Sequence, residues 1–335
     1  MPLRLLKSTT CLAALTCLAA PAQADWVRRV TDGIMGTRIT VELWGEDAAK
    51  ANQAIDAVLQ EMRHIDDSMS TYKPSSEVSQ VNAKAADAPM RISKELFDLL
   101  VTAKEYSVIT DGAFDITYAS VGYMYDFRKH VHPDEAQIDK ALPAVNFRHV
   151  LLDPKHQTVQ FSQKGVRIDL GGIAKGYSVD RGIDVLKSLG FMRAYVSAGG
   201  DSRIIGDRFG KPWMVGIRDP RKGEGEVITR IPLADTAMST SGDYERFFEE
   251  NAVRYHHIID PHTGHSASKV RSATVIGPCA TRTDGLSKTA FVLGPEKAME
   301  IYNHIEDIDA IIVKLDGTVI YSKGIEPAKG AAPVK

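Results

Sequence analysis

Asp169-Leu170-Gly171-Gly172-Ile173-Ala174-Lys175-Gly176-Tyr177 joins an apolar extended run to an amphipathic one. Residues 166–170 read as a strand, paired in a hairpin with 158–161 around Gln163-Lys164-Gly165. Residues 174–189 read as a helix stopped by Gly190. A carboxylate, two glycines and a lysine therefore fall at a strand-to-helix junction. Strand ends carry side chains into clefts, glycines admit a ligand to the backbone, and a helix N-terminus attracts anions. A phosphate-bearing ligand with a metal ion would use all three features. Taken alone, a Gly-Gly strand-to-helix junction is more often just a turn.

Away from the junction, helices and short strands alternate. Residues 37–44 alternate as a half-buried strand, with Ile39, Val41 and Leu43 on one side. Residues 48–69 carry a helical stripe of Ala51, Ile55, Val58, Leu59, Met62 and Ile65. Ser93 reads as an N-cap with Ile92 and Phe97 as a hydrophobic staple, and the helix behind it ends near Thr110-Asp111-Gly112. Further strands are expected over 194–197, 213–217, 227–231, 255–259, 273–276, 310–314 and 319–321, and helices over 283–292 and 295–305. Strands outnumber helices and come in hairpins. The expected fold is therefore α+β, with mainly antiparallel sheets flanked by helices, rather than a doubly wound sheet.

The composition is that of an ordinary globular protein: 335 residues, 44% hydrophobic, 25% charged and a formal net charge of −2. It offers no basic nucleic-acid surface. Residues 1–24 read as a secretory signal, with Arg4 and Lys7 ahead of a short apolar run and Ala22-Gln23-Ala24 as the cleavage site. The apolar run is too short to span a bilayer, and no later segment is long enough. Loss of the leader removes Cys11 and Cys17 and leaves Cys279 without an intramolecular partner, so no disulfide framework exists. One domain is expected over 25–323. The tail over 324–335, with Pro327, Gly330 and Pro333, reads as disordered.

P-loop, dinucleotide G-x-G-x-x-G, H-E-x-x-H and G-x-S-x-G motifs are all missing. Short polar clusters with glycine remain. Asp111-Gly112-Ala113-Phe114-Asp115 closes a helix. Ser197-Ala198-Gly199-Gly200-Asp201 follows a strand. Ser239-Thr240-Ser241-Gly242-Asp243 reads as a hydroxyl-rich turn, either a nest of caps or a phosphate or adenine site. His256 and His257 are strand neighbours, so they face opposite ways and cannot easily share one zinc ion. A single histidine in the cleft suits a base or a ligand contact. Asp284 and Lys288 are four apart on a helix, which fits a surface ion pair or an Asp presented to Mg²⁺.

These clusters, in this order, resemble the ApbE family of FAD:protein FMN transferases. The matching segments are Met35-Gly36-Thr37, Ser70-Thr71-Tyr72, Gly112-Ala113-Phe114-Asp115, the junction from Asp169 to Tyr177, Gly199-Gly200-Asp201, Thr240-Ser241-Gly242, His257-Ile258-Ile259-Asp260-Pro261 with Thr263-Gly264, and Asp284 followed by Phe291-Val292-Leu293-Gly294. The resemblance spans about 25–320 and implies an ApbE-like (T-fold-like) architecture. It also implies Mg²⁺-dependent cleavage of the FAD pyrophosphate, with FMN placed on a Thr or Ser hydroxyl of a partner flavoprotein and AMP released. The partner would belong to a periplasmic or membrane redox chain, and the leader fits that location. By matching position, Met35, Tyr72, Ala113, Phe114, Asp115, Asp169, Lys175 and His257 would line the FAD site. Gly172 (carbonyl), Asp284 and Ser287 (carbonyl) would hold the metal. His257 is the candidate proton acceptor, with a positional hydrogen bond to FAD as its other role. One departure stands out: four residues after the metal Asp the family usually shows threonine, and here that position is Lys288. A lysine ammonium cannot ligate Mg²⁺. A hydrolase releasing FMN and AMP, and a non-catalytic FAD-binding accessory protein, are the alternatives.

Overall fold

The computed structural model describes residues 25–223 and 225–325. The expected leader over 1–24 and the tail from 326 onward lie outside the described residues.

The chain opens with β1 (Asp25–Ile34), β2 (Thr37–Gly45), α1 (Ala48–Met69), α2 (Glu77–Lys84), β3 (Met90–Arg91), α3 (Lys94–Ile109), α4 (Ala119–Gly122) and α5 (Glu135–Ala141). It continues through β4 (Val150–Asp153), β5 (Thr158–Phe161), α6 (Ala174–Ser188), β6 (Ala194–Ala198), β7 (Asp201–Ile205), β8 (Trp213–Arg218), β9 (Val227–Leu233) and β10 (Ala237–Gly242). It closes with β11 (Phe247–Glu250), β12 (Val253–His256), β13 (Val270–Gly277), α7 (Ala280–Leu286), α8 (Thr289–Leu293), α9 (Pro295–His304), β14 (Asp309–Lys314) and β15 (Val319–Tyr321). Eight strands form one antiparallel sheet in the order β1-β2-β6-β7-β10-β13-β14-β15. The α+β reading holds.

Period-2 burial explains the layers. Ile39, Val41 and Leu43 of β2 and Ala194, Val196 and Ala198 of β6 are fully buried beneath α1 and α6. Each such aliphatic side chain contributes roughly 1.5–3 kcal/mol on burial. Neighbouring residues face the other way: Ile205 and Ala237 point to the helices, while Ile204 and Met238 point to the β8–β9 hairpin and Trp213. α8 and α9 cover β13 and β14 through Phe291, Ala298 and Tyr302. A third core gathers α2, α3, the β3-β5-β4 sheet and the buried residues before α6. Local signals hold where a cap or turn is present. Asp47 accepts from the Ala49 and Lys50 N–H groups to start α1, and Ser93 caps α3. Met35 and Gly36, with φ of 53° and 66°, make the two-residue turn a twisted hairpin prefers.

Four expectations fail. β5 pairs with β4, Val150 against Phe161 and Asp153 against Thr158, and not with 166–170. Val166, Ile168 and Leu170 are buried as a strand's alternate residues are. However, Asn82 brackets Ile168 with two 2.8 Å bonds, and the Arg167 N–H donates to Ser120 Oγ. Side chains thus do the work of a ladder, and the junction is extended without being a strand. The helix expected over 283–292 is two helices broken at Ser287-Lys288. Ser239 to Gly242 lie within β10 rather than in a turn. The strand expected over 255–259 stops at His256.

Candidate active site

The glycine and lysine of the junction have separate geometric reasons. A Cβ at Gly176 would stand 2.2 Å from the Ala280 carbonyl oxygen and 2.7 Å from Asp284 Cβ. Only glycine lets α6 and α7 approach this closely. The contact is sealed by the Gly176 N–H, which donates to Asp284 Oδ2 at 3.0 Å. One turn of α6 thereby fixes a carboxylate that is fully buried.

Lys175 points its ammonium between two carboxylates. It pairs with Asp201, the first residue of β7, and lies 3.6 Å from Asp284. Lys288 approaches from the opposite side. Its ammonium pairs with Asp284 Oδ1 and donates to the Asp284 carbonyl at 2.7 Å and the Gly172 carbonyl at 3.1 Å. Two cations and two anions thus share one partly open floor. Burial opposes charge on Lys175, but Asp201 and Asp284 outweigh it and hold the ammonium above the usual lysine range. Burial also opposes charge on Asp284, yet Lys175 and Lys288 keep its carboxyl below the usual range. Burial lifts Asp201, with the Asp284 charge adding to the lift.

Around this floor stand the other residues of interest. Asp169 is held by three donors: Gly171 N–H at 2.6 Å, Thr71 Oγ1 at 2.8 Å and the Tyr118 hydroxyl at 3.2 Å. Thr71 carries Tyr72, which is 87% exposed, at the rim. Phe114 is buried edge-on to Tyr106 and would lie 3.2 Å from a Cβ at Gly172. Ala113 is buried beside it, and Met35 packs on two of the cores from the β1–β2 turn. Asp115 does something else. Its carboxylate accepts from the Thr117 N–H and hydroxyl and from the Phe147 N–H, so it pins its own loop. Ser287 is buried, its hydroxyl donating to the Asp284 carbonyl and bonding Ser241 Oγ.

The two histidines separate as adjacent residues do. His256 is buried, its Nε2 bonded to the Ala267 carbonyl and its ring edge-on to Phe291. His257 follows the end of β12, and its backbone N–H donates to the Arg246 carbonyl. Its Nδ1 is buried without a hydrogen-bond partner, which a ligand would supply. Burial, then the nearby His256, Arg246, Lys175 and Lys288, push its pKa down to about 3, so the ring is neutral at ordinary pH.

Gly172, Lys175, Asp284, Ser287 and Phe114 thus meet as the motif order implied, with Asp169 beside them. Asp201, Thr71, Tyr118 and Arg246 were not singled out. Asp201 was visible in Gly199-Gly200-Asp201, but its pairing with Lys175 needs β7 beside α6. The Gly172, Asp284 and Ser287 set does not fit a divalent ion as it stands, because the Lys288 ammonium already engages the first two. Among the described residues, no three His, Cys, Asp or Glu side chains gather as metal ligands.

A family model described as the ApbE family matches residues 35–312, which include every residue of the site. The chain belongs to the ApbE family. An FAD:protein FMN transferase of Treponema pallidum is 32% identical, with 87% of this chain and 86% of that protein covered. The crystal structure of the ApbE protein of Thermotoga maritima superposes with a TM-score of 0.82 at 34% identity, over 90% of this chain and 98% of the other. The flavin transferase ApbE of Vibrio cholerae gives 0.78 at 28% identity, over the same shares. These ApbE structures share the arrangement of helices and antiparallel sheets described above.

Proposed function

We propose that this protein is an FAD:protein FMN transferase. It cleaves the pyrophosphate of FAD and transfers FMN to a Thr or Ser hydroxyl of an acceptor flavoprotein. The observation that carries this is the pair of lysine ammoniums, Lys175 and Lys288, held by buried carboxylates below the unpartnered, neutral His257. A pyrophosphate dianion meets the Lys175 ammonium, whose charge is shared with Asp201 and Asp284, and an incoming hydroxyl finds a proton acceptor.

In the transfer, the acceptor oxygen forms a bond to the FMN-side phosphorus. The bond from that phosphorus to the bridging oxygen breaks, and the electron pair leaves with AMP. The proton of the hydroxyl passes to His257. Burial holds His257 low first; the smaller contribution of Arg246, Lys175 and Lys288 is offset when the dianion binds, which moves the ring in the basic direction. Lys175 stabilises charge on the phosphoryl oxygens. Asp169, Tyr72, Met35, Phe114 and Ala113 form the flavin and nucleotide walls, and Asp115 acts by holding the loop of Phe114. Mg²⁺ in this family polarises phosphoryl oxygens when bound. With Lys288 in the seat of Gly172, Asp284 and Ser287, none of the steps above passes through the ion.

The leader over 1–24 supports a periplasmic location, and the acceptor is then an exported domain of a redox-chain flavoprotein. Incubation of the mature protein with FAD and such a domain should add one FMN to the acceptor's intact mass and release AMP. Free FMN with AMP and no mass gain would indicate hydrolysis. No product with any exported flavoprotein tested would end the transferase reading.

A further inference from the structure

The structure assigns a second task to Lys288. We propose that its ammonium is the resident cation of the active site, occupying the place of a divalent metal, so that flavin transfer here needs no metal at this seat. The inference rests on the transferase reading for its activity test but not for its binding test.

Three observations carry it. First, the ammonium is fully engaged: the Gly172 carbonyl, the Asp284 carbonyl and the Asp284 carboxylate take its three N–H donors. Two of the three residues implied as metal ligands therefore already bind a cation. Second, the arrangement is tertiary. A lysine that merely capped the end of α7 would need only that helix's carbonyls. Lys288 also reaches Gly172, 116 residues away, and its Cε would lie 3.7 Å from a Cβ there. The stem is packed along the glycine. Third, the side chain is turned inward, and it is only 17% exposed.

The charge count agrees. Lys175 and Lys288 face Asp201 and Asp284, so the four charges offset one another. A divalent ion at Gly172 and Asp284 would lie against an ammonium bound to the same oxygens and would be repelled by it. Replacement of the lysine by a short hydroxyl would vacate the seat, remove the repulsion and offer an oxygen.

The test uses mature protein stripped with EDTA. Mn²⁺ serves as the spectroscopic probe, titrated by electron paramagnetic resonance, and FMN transfer to an acceptor domain is measured in EDTA and in Mg²⁺. The wild type should bind no stoichiometric Mn²⁺ and should transfer FMN in EDTA within twofold of its rate in Mg²⁺. Lys288→Thr should gain one Mn²⁺ site, lose at least tenfold of its transfer rate in EDTA and recover it with Mg²⁺. One Mn²⁺ per wild-type chain, lost in Asp284→Ala, would overturn the proposal. So would loss of wild-type transfer in EDTA with rescue by Mg²⁺. Absence of transfer in both media would sink the transferase reading, and the wild-type Mn²⁺ titration would still decide the role of Lys288. That titration needs no variant to fold.

Discussion

Gly176→Ala is the sharpest perturbation of the site, because it adds one methyl group at the contact between α6 and α7. The new Cβ would stand 2.2 Å from the Ala280 carbonyl oxygen. A relaxed contact lies near ~3.5 Å, so α7 has to retreat by roughly 1 Å. Overpacking of this kind costs about 1–3 kcal/mol and sometimes more, while alanine returns about 1 kcal/mol through helix propensity. The expected net loss is about 0–2 kcal/mol, read by urea denaturation as a lower midpoint with an unchanged slope. The functional effect should be larger. Asp284 and Lys288 travel with α7, and a misplacement of about 1 Å can cost ~100-fold in rate. FMN transfer should therefore fall far more than stability. Ala280→Gly should not rescue the variant, since the obstacle is a backbone oxygen and not a side chain. A Gly176→Ala protein with wild-type midpoint and transfer rate would refute the close-approach reading. So would rescue by Ala280→Gly.

Three further outcomes follow from the same geometry. His257 is protonated in the unfolded chain below its ordinary value of 6.5 but in the folded one only near 3, so the unfolded state binds more protons between those values and stability falls as pH drops through that window. At pH 5 the loss is at most about 2 kcal/mol, and His257→Asn should flatten that part of a Tm-against-pH curve while it reduces transfer. Asp284→Ala strands Lys288 and the Gly176 N–H and leaves Lys175 with Asp201 alone, and should cost about 3–5 kcal/mol by chemical denaturation; a change below 1 kcal/mol would mean Lys288 finds other partners. Tyr72→Ala, at a residue 87% exposed, should leave the melting temperature within a degree or two yet weaken FAD binding in a fluorescence titration; unchanged affinity would remove Tyr72 from the flavin wall.

Much of the frame was legible because a single period runs through each element. The stripe of α1 was read from Ala51 to Ile65 and runs on to Met69, while the Asp47 cap that starts the helix emerged only in the structure. The alternation of β2 says which face it buries. The same alternation over 166–170 was read correctly as burial and wrongly as pairing, because nothing local announces that Asn82 and Ser120 supply the missing hydrogen bonds. The i,i+4 spacing gave the Asp284–Lys288 pair, but the reach to Gly172 depends on α6 lying against α7. Asp115 shows the opposite limit. Its place in a motif suggested a ligand contact, whereas three donors from its own chain hold the carboxylate. Residue type and order located the cleft, and the direction of each side chain was set by partners distant in sequence.

The bond from Gly176 to Asp284 spans 108 residues, and its length has a consequence for how the molecule comes into being. Strand β2 pairs with β6, Ile39 against Ala198, only after the whole α2-to-α6 stretch has been made. A nascent chain that stops short of α7 carries every flavin-wall residue and His257, but Lys175 is answered by Asp201 alone and the first turn of α6 has nothing to close against. Such a fragment offers the nucleotide no floor. FAD is therefore expected to bind a truncated chain less well than the whole one. Retention of flavin is then expected to report that the segment from α7 onward has docked.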